Sequence, residues 1–89
     1  MMSLKHAMGM VTDEIARAEE KWPGWPTDPV HGAGIVCEES GELMQAALNY
    51  TYSGSTDVAM MREAIHTAAT AVRFIRAMSA NRSRPSERP

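Results

Sequence analysis

The run Val58-Ala59-Met60-Met61-Arg62-Glu63-Ala64-Ile65-His66-Thr67-Ala68-Ala69-Thr70-Ala71-Val72-Arg73-Phe74-Ile75 decides the fold class. Val58, Met61, Ile65, Ala68, Val72 and Ile75 recur at steps of three and four residues, the period of one apolar stripe on an α-helix. Ala64, Ala69 and Ala71 keep the flanks of that stripe thin enough for tight packing. Ahead of it Ser53-Gly54-Ser55 reads as a turn, and Ser55, Thr56 or Asp57 supplies an N-cap.

Two more helices follow on working outward. Asp28-Pro29 opens one that runs to about Tyr52: Asp28 accepts from orphan N–H groups, and Pro29 takes the first helical position, where its missing donor costs nothing. Gly32, Gly34 and Gly41 each cost roughly 1 kcal/mol inside a helix, so close backbone approach is the expected reason for them. Before it, Leu4, Met8, Val11, Ile15, Ala18 and Trp22 mark the stripe of a helix capped by Ser3. That helix is expected to end near Trp22, because Trp22-Pro23-Gly24-Trp25-Pro26 forms a stiff turn. From Ser79 onward Asn, Arg, Ser and Pro replace the periodic residues, so the chain divides into a domain over 1–79 and a flexible basic tail over 80–89.

Composition agrees with an all-α class. Aromatic residues are 6% of the 89, while Ala, Met, Glu and Leu are plentiful. A lone Cys37 excludes an internal disulfide framework and reads as a small core residue, and no apolar run reaches membrane-spanning length. A cytoplasmic protein with no membrane partner is expected. So short a chain buries only about 60–65% of the surface its unfolded form exposes, which makes a core shared between subunits the natural supplement.

Charge is distributed unevenly. Ten of the 11 acids lie in residues 1–63 against Lys5, Arg17, Lys21 and Arg62, while the remainder holds Glu87 against five arginines. Three of those acids fall in a half-apolar stretch: Glu38, Glu39 and Glu42 project from neighbouring points on one helical face, where like charges repel unless a cation lies between them. Hard divalent cations take such oxygen ligands. On the last helix Glu63, His66, Thr70 and Arg73 form a polar line opposite the apolar stripe, with Glu63 and His66 one turn apart. Two helices thus each supply a three-spaced ligand pair, the logic by which helical bundles build carboxylate metal sites.

The run Glu39-Ser40-Gly41-Glu42, followed by Glu63-Ala64-Ile65-His66, resembles the E-x-x-E and E-x-x-D pattern of MazG-like nucleoside triphosphate pyrophosphohydrolases, the all-α NTP pyrophosphatase superfamily. Glu14 to Glu19 leading into the Trp22–Pro26 turn, then Asp28-Pro29-Val30-His31, and later Ala68-Ala69 with Arg73-Phe74, are similar to a small single-domain branch of it. The likeness covers roughly residues 12–78. It implies hydrolysis of an NTP or dNTP between the α and β phosphates, giving the monophosphate and pyrophosphate, with Mg²⁺ as cofactor and nucleotide-pool sanitation as the role. It implies Glu39, Glu42 and Glu63 as metal ligands with His66 in the place of the family's Asp, and Glu38 beside Glu39 as a further ligand or as the group that orients the attacking water. Glu38 and Glu39 are accordingly the catalytic pair. His66 departs from the pattern: imidazole suits Mn²⁺ better than Mg²⁺, and it can alternatively hydrogen-bond a phosphate or leave one metal position unfilled.

Substrate contacts are expected from Lys21 and Arg73 toward triphosphate oxygens, from Trp25 by stacking on a base, and from His31, which is too far along its helix to reach the metal. The expected architecture is a three-helix protomer whose two longer helices form an antiparallel hairpin with the acids inward. A four-helix-bundle core would be completed by a homodimer or homotetramer. The rival expectation is a non-catalytic helical partner-binding or regulatory module keeping the same fold. Specific nucleic-acid binding is not expected, because a short Arg-rich tail on an acidic body gives only salt-sensitive, non-specific contact.

Overall fold

The computed structural model describes residues 1–81 and places them in three α-helices: α1 (Leu4–Lys21), α2 (Pro29–Tyr52) and α3 (Val58–Asn81). Among the described residues there is no strand, and no helix is long and apolar enough to cross a membrane. The caps follow from the residues at the boundaries. Ser3 Oγ accepts from the His6 amide at 3.1 Å, and Asp28 Oδ1 accepts from the Val30 amide at 3.1 Å. α2 closes where the Asn49 carbonyl accepts from the Ser53 and Ser55 amides, with Gly54 at φ 73° between them. The Asp57 carbonyl accepts the first helical bond of α3, from Met61. The last helix runs through Asn81, so the start of the expected tail is helical; the rest of that tail, 82–89, lies outside the described residues.

α3 is the central element. It packs against both α1 and α2, whose backbones do not approach each other. Across α2 and α3, Gly32 lies against Phe74, Glu39 against His66, and Glu42 shares a groove with Glu63. The contacts therefore move along α2 as they move back along α3. Gly32 is the glycine that close approach explains: a Cβ there would lie 2.8 Å from Trp25 Nε1 and 3.1 Å from the Phe74 ring. Gly34 and Gly41 have nothing within 4 Å, so the expectation of close approach fails for them.

The buried face of α3 differs from the one its periodicity marks. Ala69 is 2% exposed and Arg73 9%, whereas Val58 and Ile75, the two ends of the apolar stripe, are 58% and 63% exposed. α1 and α2 close over the polar side of α3 and leave much of the stripe uncovered. Buried apolar side chains in the described protomer come down to Val11, Ala18 and Ala69. Cys37, expected in the core, is exposed, and so is Trp22 at the end of the α1 stripe. One hairpin partner plus one flanking helix covers too little of a 24-residue helix to bury both of its faces.

Candidate metal centre

The site forms where α3 passes between the other two helices. Glu63 and His66, one turn apart on α3, meet Glu39 from α2, and one ligand atom from each of the three lies within 4.8 Å of the others. His66 Nδ1 is 3.7 Å from Glu63 Oε2 and 3.9 Å from Glu39 Oε2. Its Nε2 faces the opposite way, 3.7 Å from Glu14 Oε2 on α1. Glu14 is held in turn by Arg17, whose Nε and NH2 donate to its two oxygens at 2.8 and 2.6 Å.

The electrostatics are unbalanced. Glu39 Oε2 and Glu63 Oε2 are buried and accept no hydrogen bond. Burial pushes the Glu39 carboxyl above the ordinary carboxylate value of 4.5, and the negative charges of Glu42, Glu63 and Glu14 add to that, with His66 partly opposing them. Glu14 moves the other way: the Arg17 hydrogen bonds hold it below 4.5 against the opposing effect of its own burial. Two buried carboxylate oxygens without a donor are the condition a divalent cation relieves, and the donor set of two carboxylates and an imidazole suits one.

A groove of about 570 Å³ opens from this cluster, with Glu38 and Glu39 on one wall and Trp25, Ala69 and Arg73 further along. Glu38 is exposed at its rim. Glu42 is exposed and stands outside the trio, in a second groove with Asn49 and Glu63. Of the residues expected to contact substrate, Trp25 lines the main groove half-buried, with its Nε1 buried and unpartnered. Arg73 lines it too, but its NH2 donates to the Trp22 and Gly24 carbonyls at 2.8 and 3.1 Å, and its guanidinium lies 5.2 Å from the centre of the Trp25 ring. Lys21 is exposed, its Nζ 4.6 Å over the Trp22 ring. His31 is exposed on α2 and is not part of the groove wall.

Glu14 is the participant that sequence reading missed. Its neighbours Glu19 and Glu20 on α1 have the same chemistry but are exposed, whereas Glu14 is half-buried and faces His66, a contact spanning 52 positions of the chain. Compared with protein-family models, curated proteins and solved structures, the chain shows no significant match.

Proposed function

We propose that this chain is a metal-dependent nucleoside triphosphate pyrophosphohydrolase that cleaves an NTP or dNTP to the monophosphate and pyrophosphate, serving nucleotide-pool sanitation in the cytoplasm. The observation that supports it is the convergence of Glu39, Glu63 and His66 from two helices within 4.8 Å, with two buried carboxylate oxygens lacking any donor. The MazG-like pattern supplies the reaction, and the grooved surface beside the cluster supplies room for a nucleotide.

The ligands would be Glu39, Glu63 and His66, with Glu42 from the adjoining groove, and the ion Mg²⁺ or Mn²⁺. Bound there, the cation supplies positive charge against the phosphoryl oxygens and lowers the pKa of adjacent water. The rest of the work belongs to the chain. Glu38, exposed at the groove rim next to Glu39, orients the attacking water and accepts its proton. Trp25 offers a ring for base stacking. Lys21, exposed with its Nζ over the Trp22 ring, is a cation for the triphosphate, while Arg73 acts by holding the Trp22–Gly24 turn that carries Trp25.

The antiparallel α2 and α3 carry the acidic pairs, and a second copy completes the bundle as a homodimer or homotetramer. The exposed stripe residues Val58, Met61 and Ile75, with Met44 and Leu48 on α2, support that association. Light scattering on the eluting protein measures it; a monomer at micromolar concentration would remove this part of the proposal.

The deciding experiment incubates purified protein with each NTP and dNTP plus Mg²⁺ or Mn²⁺ and identifies the products by ³¹P NMR. Monophosphate and pyrophosphate in equal amounts are expected. Orthophosphate release, or no turnover with any nucleotide, overturns the reaction.

A further inference from the structure

Resting on the metal-centre reading above, we infer that Glu14 and Arg17 are positioning residues that present His66 Nδ1 to the metal and tune the centre toward a transition ion such as Mn²⁺ over Mg²⁺. The two nitrogens of His66 face different partners. Nδ1 shares its side of the ring with Glu39 Oε2 and Glu63 Oε2, at 3.9 and 3.7 Å, and Nε2 faces Glu14 Oε2 at 3.7 Å. A neutral imidazole carries its proton on one nitrogen and a lone pair on the other. A cation seated between Nδ1 and the two unpartnered carboxylate oxygens would take up the Nδ1 lone pair and neutralise those carboxylates, and the Glu14 carboxylate beside Nε2 would then accept the remaining ring proton.

Glu14 is fit for this part because its own geometry is held. Its side chain is 14% exposed, and both of its oxygens accept from Arg17, at 2.8 and 2.6 Å, leaving lone pairs free for the ring N–H. It faces Nε2 and stands outside the trio whose ligand atoms converge within 4.8 Å, the place of a supporting residue rather than of a ligand. The Nε2 gap is about half an ångström beyond a hydrogen bond, within what a small ring rotation closes. An outer carboxylate fixing the tautomer and orientation of a ligating histidine is a general device of metal sites. Mg²⁺ prefers an all-oxygen octahedron, whereas imidazole adds affinity for first-row transition ions, so a histidine held in this way shifts preference.

The test uses the full chain with metal alone and no nucleotide. Pulsed EPR of bound Mn²⁺ is expected to show coupling to a directly bound nitrogen in the wild type and none in His66→Asp or His66→Asn, two variants so that a fold lost in one leaves the other. Mn²⁺ is expected to bind at least about tenfold more tightly than Mg²⁺, with the preference shrinking in His66→Asp. Glu14→Gln should keep the helical circular dichroism spectrum, lose about tenfold in Mn²⁺ affinity and less for Mg²⁺, and change the nitrogen coupling of the bound Mn²⁺. A wild-type Mn²⁺ spectrum without nitrogen coupling, or a Glu14→Gln variant with unchanged coupling and affinity, overturns the inference. Nitrogen-coupled Mn²⁺ without pyrophosphate release in the nucleotide assay overturns the reaction and leaves this assignment standing. Pyrophosphate release without the coupling does the reverse.

Discussion

The polar line of α3 has two ends that solve the same problem differently. At Arg73 a charged group is 9% exposed, yet its NH2 has two backbone carbonyls to donate to and its guanidinium lies over the Trp25 ring. Two to three turns earlier, Glu63 and the facing Glu39 each carry a buried oxygen with no donor at all. A buried charge satisfied by its own chain holds the fold together, while one left unsatisfied raises the energy of the protein until something from outside supplies the partner. The contrast separates a structural arginine from a candidate ligand set on one helix face, although both looked alike as polar positions at helical spacing.

The unsatisfied end is the more sensitive of the two to substitution. Glu63→Gln is expected to lower metal-dependent pyrophosphate release by roughly 100-fold or more while leaving the circular dichroism spectrum intact. Turnover within twofold of wild type would remove Glu63 from the centre. At the satisfied end, Arg73→Ala should cost about 2 kcal/mol in urea unfolding, since it orphans two carbonyls and uncovers the Trp25 ring. A stability equal to wild type would show that the Trp22–Gly24 turn is held by something else. Beside that clamp, Gly32→Ala drives a methyl into Trp25 Nε1 and the Phe74 ring and should destabilise by about 1–2 kcal/mol, whereas Gly34→Ala, two residues on in open space, should stabilise α2 by about 0.5–1 kcal/mol. Melting temperatures moving in the same direction for both would contradict the packing of α2 on α3.

The smallest effect is the dependence on pH. The folded-state pKa of Glu39 is raised, so its contribution to stability is fully present below about pH 4.5 and is lost as pH rises through the raised value. Glu14 has the opposite sign: its contribution is present above 4.5 and lost as pH falls through its lowered value. Urea midpoints measured from pH 3 to 7 without metal should therefore show the decline above pH 4.5 removed in Glu39→Gln, and the decline on acidification reduced in Glu14→Gln. An unchanged profile in Glu39→Gln would mean that its carboxyl is not desolvated.

Much of the local structure was legible because its causes are local. Ser3 and Asp28 cap the helices their positions mark, Gly54 provides the left-handed residue of the second connection, and the boundaries at Lys21 and Tyr52 fall where the turn residues end the periodic pattern. The pairing of Glu63 with His66 was legible for the same reason, as a consequence of 3.6 residues per turn. Periodicity misled on burial. It identifies the residues that share a face and is silent on which face a neighbour covers, so Val58 and Ile75 were expected inside and Arg73 was not expected to be the most enclosed charge. Arg76 shows the same limit: it meets Glu19 of α1 at 2.9 Å, a pairing that no periodicity within either helix marks.

The amino-acid sequence by itself determined three helices, their caps and turns, and two three-spaced pairs of ligand-type residues on α2 and α3, because each depends on neighbours within about one helical turn. Tertiary structure alone decided that Glu39 meets Glu63 and His66 while Glu42 stands apart, that Glu14 and Arg17 join from α1, and that Arg73 is spent on the Trp22 and Gly24 carbonyls. Those contacts join residues some 24 to 52 positions apart along the chain. Their geometry is set by how α1 and α2 flank α3, and no pattern within a single helix encodes that angle or that choice of face.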